Sequence, residues 1–210
     1  MSNFIENAQW RYATKKYDST KKVSNADLET LKKAVQLSAS SFGLQPYKVI
    51  VVENPELREQ LVEASWGQQQ IKEASHLFVF ANITDLDNTD LDAFFNNVQT
   101  TRGLKPEDVE GYKNFVAGFV NNLPTEIKNT WTSKQTYIAL SNLLNAAAEL
   151  KIDVTPMEGF EPQRYNEILG LDKLGLNASL VAPIGYRSEE DATQHFAKVR
   201  KPLDELFITL

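Results

Sequence analysis

Hydrophobic and polar positions along this chain follow two rhythms, one of strands and one of helices. Tyr47-Lys48-Val49-Ile50-Val51-Val52, bounded by Pro46 and Pro55, is short and rich in β-branched residues, and predicts a strand. His76-Leu77-Phe78-Val79-Phe80-Ala81-Asn82-Ile83 predicts a second strand, apolar at nearly every position and therefore covered on both faces. Ala178 to Tyr186 predicts a third, and Pro183 within it points to an edge or terminal segment, because proline cannot donate to the ladder.

The remaining pattern is helical. Residues 3–13 place Phe4, Ile5, Ala8 and Tyr12 near one face. Ser24 followed by Asp27 predicts a capping box for LETLKKAVQLS, whose Leu28, Leu31, Val35 and Leu37 roughly follow a stripe. Ser40-Ser41-Phe42-Gly43 reads as a loop. Pro55 suits the first turn of PELREQLVEASW, and a short helical stretch, QQQIKEA, follows Gly67. Residues 88–122 predict two helices broken near Gly103 and Pro106. The longest helix runs from about Pro124 to Leu150, with Ile138, Leu140, Leu143, Leu144, Ala147 and Ala148 recurring at helical spacing. Ile152 to Pro156 leads into a glycine turn, EPQRYNEILG predicts a further helix, and ELFITL ends the chain. That apolar, β-prone tail would be exposed unless it added itself to a sheet, such as that of another subunit. Helices interleaved with few strands fit α+β or α/β with a small sheet. Periodicity does not order the strands.

Composition narrows the class. The chain has 210 residues, 42% of them apolar, which is enough for a substantial core. No repeat or low-complexity linker divides it, so residues 1–210 read as a single domain. The net charge of −6 argues against nonspecific binding to nucleic acid or an anionic membrane. No apolar run approaches the roughly 20 residues that span a bilayer. The N-terminal residues lack the pattern of a secretory signal. Zero Cys excludes disulfides, thiolate nucleophiles and cysteine-ligated metals, and a cytoplasmic location is expected.

Within this acidic chain, basic residues gather near both ends: Arg11 and Lys15 in WRYATKKYD, Lys198 and Arg200 in AKVRKP. A Lys-x-Arg pair on an extended segment projects both side chains to one side. Joined by Arg11, it could grip a phosphate through charge-assisted bonds, although solvated surface cations are the commoner occurrence. The turn Pro156-Met157-Glu158-Gly159-Phe160 offers a glycine, which lets a backbone amide approach a ligand closely; an ordinary strand-to-helix turn explains it as well. His76 and His195 have no metal-ligand spacing around them. There is no G-x-S-x-G elbow, no Rossmann fingerprint and no P-loop, so a dinucleotide would bind by other means. Phe94, Phe95, Tyr112, Phe115 and Phe119 read as core, with part of the set available to line a pocket for flat ligands. Asp85, Asp87, Asp90 and Asp92 read as a solvated loop and helix start.

Taken in order, WRYATKKYD, SASSFGLQPYKVIVV, KEASHLFVF, WTSKQTYIALSNLLNAAAELKIDVTPMEGF, SLVAPIGYRS and AKVRKP resemble the FMN-dependent nitroreductase family, in its oxygen-insensitive NAD(P)H nitroreductase and dihydropteridine reductase branch. The resemblance covers nearly the whole chain. It implies an α+β fold with a small, mainly antiparallel sheet flanked by helices. It also implies a homodimer built on the long helix, a C-terminal tail exchanged with the partner, and two FMN molecules at the interface. The implied activity is ping-pong hydride transfer from NADH or NADPH, through FMN, to nitroaromatics, quinones or similar flat electron-poor acceptors. Other reductions on the same fold are the alternatives within enzymes, such as activated alkenes, dehalogenation or pteridines. A cofactor-free dimeric module is the alternative outside them.

The resemblance assigns roles to particular residues. Arg11, Lys198 and Arg200 match phosphate ligands. Lys15 matches a lysine beside the flavin pyrimidine edge, where a cation would stabilise charge on the reduced ring. Ser40 and Ser41 match a loop facing the partner's flavin. Pro156, Met157, Glu158 and Gly159 match the turn whose amides face the flavin N5 region, and Gln135 matches a position on the long helix. No side chain is assigned as an obligatory acid or base. Three positions depart from the pattern: Ala13 where many members have Ser, Gly67 where many have Asn, and Tyr12 where His is frequent.

Overall fold

A computed structural model describes residues 3–210. Helix α1 spans Asn3–Trp10, α2 Asn25–Gln36, α3 Pro55–Glu63, α4 Gln70–Glu73 and α5 Asn88–Arg102. Then come α6 at Pro106–Asn121, α7 at Thr125–Glu149, α8 at Pro162–Leu169 and α9 at Leu203–Leu206. Strands β1 at Tyr47–Val52, β2 at His76–Ile83, β3 at Asp153–Val154 and β4 at Leu176–Gly185 form one antiparallel sheet in the order β1-β2-β4-β3. The fold is α+β. Among the described residues, no helix is long and apolar enough to cross a membrane.

Helix starts follow local chemistry. The Ser24 hydroxyl accepts from the Asp27 amide and donates to the Asp27 carboxylate. Asn54 caps α3, with Pro55 in its first turn. Asp87 and Asp90 form a reciprocal capping box on α5, which gives part of the acidic run a structural role.

Two apolar clusters sandwich the sheet. On one face, Phe78 and Phe80 of β2 and Leu180, Ala182 and Ile184 of β4 meet Leu31 and Val35 of α2 and Leu143 and Ala147 of α7. On the other, Leu77, Val79 and Ala81 meet Leu61 and Val62 of α3, Ile71 of α4 and Tyr165 of α8. The unbroken apolar run of β2 is therefore buried on both sides. A bulge opposite Phe80 and Ala81 leaves Ser179 unpaired and reverses the facing of β4 beyond it, and the Ser179 hydroxyl donates to Asn82 Oδ1 at 2.7 Å. Phe80 is fully buried at the centre of the first cluster. Phe80→Ala is expected to cost about 3–5 kcal/mol, read from a urea unfolding midpoint; a cost below about 1 kcal/mol would mean the cluster can collapse around the void.

Four expectations are corrected. First, β4 is interior, lying between β2 and β3, although it contains Pro183. The Pro183 carbonyl accepts from the Thr155 amide at 3.1 Å, on the β3 side. In extended backbone the N and C=O of one residue face the same neighbour, so the missing donor faces that side too. This is why β3 is only two residues long and resumes at Met157, which exchanges both bonds with Val181. Second, α1 ends at Trp10 and α3 at Glu63, each three residues early. Third, Leu37 and Ile138 are exposed, and of the α5–α6 aromatics Tyr112, Phe115 and Phe119 face solvent while Phe95 is core. Fourth, the 203–206 part of the tail is helical, and its apolar side chains stand exposed.

Candidate functional site

The N-terminal segment leaves α1 at Trp10 and runs as irregular backbone to Tyr17, which bridges Arg187 in antiparallel fashion. Arg187 is the strut beneath this crossing. Its guanidinium and its own amide bond Asp153, a buried carboxylate, at 2.6–3.0 Å. The same guanidinium lies over the rings of Trp10, at 4.2 Å, and Tyr12, at 4.5 Å. Asp191 forms a second tie: it accepts from Lys15 N at 2.7 Å, Lys16 N at 3.2 Å and the Tyr12 hydroxyl at 3.0 Å. Burial alone would push the Asp191 carboxyl up. The bonds from Thr193, the two lysine amides and Tyr12 outweigh it and hold the group down at about 2. The Tyr12 hydroxyl is pushed up to about 12 by burial and by that carboxylate.

These ties bring the chain ends together. Arg11, Lys198 and Arg200 line one cavity of about 330 Å³, whose far wall is Ser141, Leu144 and Asn145 of α7. Lys198 Nζ donates to the Ala8 and Arg11 carbonyls, so the C-terminal arm is latched to the end of α1. Among the described residues, no carboxylate lines the cavity. Burial, then Arg200, lowers the Arg11 pKa against the smaller opposing pull of Asp153, and burial, then Arg11 and Arg200, lowers that of Lys198. Three mutually repelling cations thus line one cavity, an arrangement whose chemistry suits an anion such as a phosphate.

The glycine turn stands along the same helix. Tyr137 of α7, one turn from Ser141, donates to Glu158 Oε1 at 2.7 Å; its hydroxyl is pushed up to about 12 by burial and by that carboxylate. Gln68 donates to the Gly159 carbonyl at 2.7 Å, and a Cβ at Gly159 would come within 3.1 Å of the Trp66 ring. A larger residue there would make the exposed Trp66 ring give by a few tenths of an ångström. Met157 is buried and fixed to β4, which anchors the turn beginning at Pro156.

Gly67 adopts φ +77 with open space around its Cβ position. Asn is the other residue that tolerates left-handed backbone readily, so the Gly-for-Asn departure preserves the turn and removes only a side chain. Ala13 lies in the tied segment between Tyr12 and Thr14, partly buried. Ser40, Ser41 and Gln135 make a separate group: Gln135 Oε1 accepts from Ser41 N at 2.8 Å, and the Ser40 hydroxyl accepts from Gln45 N at 2.8 Å. Among the described residues, no hydrogen bond joins this group to the terminal cations or to the glycine turn. Phe42 of the same loop packs edge-on to Phe115, Phe119 and Trp131.

The sequence model of the family described as the Nitroreductase family matches residues 8–186. The chain belongs to that family. The Major NAD(P)H-flavin oxidoreductase of Aliivibrio fischeri is 32% identical over 213 residues, covering 98% of this chain and 98% of its own. A relative from Staphylococcus haemolyticus is 37% identical over 219 residues, covering 98% of this chain and 97% of its own. A structure from Exiguobacterium sibiricum, solved in complex with FMN, superposes with a TM-score of 0.83 at 20% identity, covering 100% of this chain and 98% of its own. As a nitroreductase-family protein the chain is an oxidoreductase. The matched region ends before Lys198 and Arg200, so their place beside Arg11 is known from the cavity alone.

Sequence reasoning missed Asp191, Tyr137, Gln68 and the Asp153–Arg187 pair. The D-A-T spacing at 191–193 is a capping signal, and it does cap the short 3₁₀ turn that follows. Nothing in it points to residues 12–16. The other contacts join residues 21 to 91 positions apart, with no local signature.

Proposed function

We propose that this nitroreductase-family protein is an NAD(P)H-dependent oxidoreductase that works with bound FMN on nitroaromatics, quinones or similar flat, electron-poor acceptors in a ping-pong cycle. The observation that carries the reading is the convergence of Arg11, Lys198 and Arg200 on one cavity without a lining carboxylate. In this reading those cations hold the phosphate, and Lys15 sits by the pyrimidine edge. Tyr12, Ala13, Gly67 and the turn from Pro156 to Gly159 surround the rest of the cofactor. When bound, FMN supplies a carrier that NAD(P)H can reduce and that passes electrons to the acceptor.

The protein's part is to bind and orient. The cation cluster fixes one end of the ligand. Lys15 places positive charge where electron density gathers on reduction. The bonds from Tyr137 and Gln68 keep the glycine turn in one conformation, so its backbone needs no rearrangement on binding. Solvent supplies protons. The exposed rings of Tyr112, Phe115 and Phe119 offer flat apolar surface suited to aromatic acceptors.

Residues 1–210 act as one domain in this reading, and two copies complete each site. Ser40, Ser41 and Gln135 of one subunit face the cofactor held by the cations of the other, which accounts for their separation within a single chain. Ile127, Tyr137 and Ile138 give α7 an exposed apolar surface for association, and β1 is an edge strand able to take an exchanged tail bearing Phe207, Ile208 and Leu210.

An anaerobic visible spectrum of purified protein reconstituted with FMN, recorded before and after NADH or NADPH, tests the reading. The expected result is a bound flavin spectrum that bleaches with at least one nucleotide. Protein that takes up no FMN would overturn the cofactor, and bound flavin that neither nucleotide bleaches would overturn the donor.

A further inference from the structure

We propose that Asp191, which the sequence pattern marks only as a local cap, is the positioning residue of the cofactor cradle: one buried carboxylate ties the Lys15 segment to the arm that carries Lys198 and Arg200. The inference rests on the flavin reading above. Asp191 is only 2% exposed. Its Oδ2 takes the Lys15 and Lys16 amides and the Tyr12 hydroxyl. Its Oδ1 takes the Thr193 amide at 3.0 Å and hydroxyl at 2.5 Å, opening the turn that leads to residue 198. The two oxygens therefore divide the two ends of the chain between them.

All five groups are donors, and an ionised carboxylate is the side chain of this size that only accepts. Two consecutive amides aimed at one oxygen also constrain the backbone on either side of Lys15, as in an anion-binding nest. Lys15 itself is exposed. What Asp191 controls is thus the position of a cation whose proposed task is to meet charge on the reduced ring. Its loss should weaken the reduced cofactor more than the oxidised one.

The test is Asp191→Asn, which is close in shape but turns an N–H donor toward a wall of donors. Thr193→Val is the comparison, because it removes a bond to Oδ1 and leaves the Lys15 and Lys16 amides untouched. FMN affinity is read by quenching of flavin fluorescence, and the potential of the bound flavin by equilibration with a redox dye. Asp191→Asn is expected to weaken oxidised FMN about tenfold and reduced FMN by about another tenfold, which lowers the potential by about 30 mV. Thr193→Val is expected to stay within about twofold of wild type, in line with the modest net value of one hydrogen bond.

An Asp191→Asn protein that is folded and binds FMN with wild-type affinity and potential overturns the inference. Wild-type protein that does not bind FMN overturns the flavin reading instead. Should Asp191→Asn fail to fold, hydrogen exchange on FMN-free wild type decides. Slow exchange at the Lys15 and Lys16 amides is expected, because the carboxylate holds them before any ligand arrives. Free exchange there would mean that Asp191 does not shape the segment, and the inference falls.

Discussion

Replacing Lys198 and Arg200 together by alanine is expected to weaken FMN binding by about a hundredfold or more while leaving the apoprotein folded. The two effects share one physical origin. Arg11, Lys198 and Arg200 crowd a single cavity, and the pKa values of Arg11 and Lys198 are lowered by burial and by the charge of their neighbours. Without a ligand the cluster is a source of repulsion, so removing two cations relieves some of it. The loss of the Lys198 bonds to the Ala8 and Arg11 carbonyls opposes that gain. With a phosphate present the same charges make charge-assisted hydrogen bonds, each worth about 1.5–3 kcal/mol. Two such residues give roughly 3 kcal/mol or more, which is the hundredfold factor. Titration followed by flavin fluorescence reads the affinity, and thermal unfolding with and without FMN reads the stability. A double variant that retains FMN as tightly as wild type would show that the phosphate lies elsewhere.

Asp153→Ala is expected to destabilise the protein by about 3 kcal/mol, the low end of the cost of breaking a buried ion pair, because the Arg187 side chain left behind is 20% exposed and partly solvated. Asp153 is 3% exposed and takes four contacts from Arg187, three of them from the guanidinium. Truncation would strand that guanidinium between Trp10 and Tyr12. Asp153→Leu with Arg187→Met should cost less than Asp153→Ala alone, since two apolar groups of similar volume leave no uncompensated charge. Urea unfolding of the three proteins measures both values. A double variant at least as unstable as Asp153→Ala would assign the cost to packing rather than to charge. Because the pair lies beneath the segment bearing Arg11 and Lys15, FMN affinity should fall with Asp153→Ala as well.

The strands at 47–52 and 76–83, the two helices broken at Gly103 and Pro106, and the long α7 were legible in the pattern because each rests on local chemistry. Proline boundaries, capping side chains and sustained apolar period act within a few residues. The Lys-x-Arg spacing likewise identified a pair that lines one cavity. Helix ends were misread where long-range bonds prevailed. Just beyond the expected end of α1 at residue 13, the amides of Lys15 and Lys16 go to Asp191 across the molecule and hold the segment in a non-helical path. Beyond α3, Ala64 gives its carbonyl to the Glu161 amide, Ser65 bonds the Tyr165 hydroxyl, and Trp66 turns to φ 56.

By itself the sequence determined most of the element types and apolar faces, the tail at 203–206 and the exposed Leu37 and Ile138 excepted, together with the acidic balance of the chain and the family to which it belongs. Those are properties of residues and their near neighbours, and they survive any rearrangement of the elements. Only the tertiary structure decided that β4 lies inside the sheet, because the side to which Pro183 turns its missing donor depends on which strands flank it. Only there do Arg11, Lys198 and Arg200 share one cavity, and only there does Asp191 bind both ends of the chain. Bonds between residues 175 and 176 positions apart have no period and no spacing to betray them. They exist only in a fold that brings the two ends together, and that convergence is what gathers scattered surface cations around one cavity.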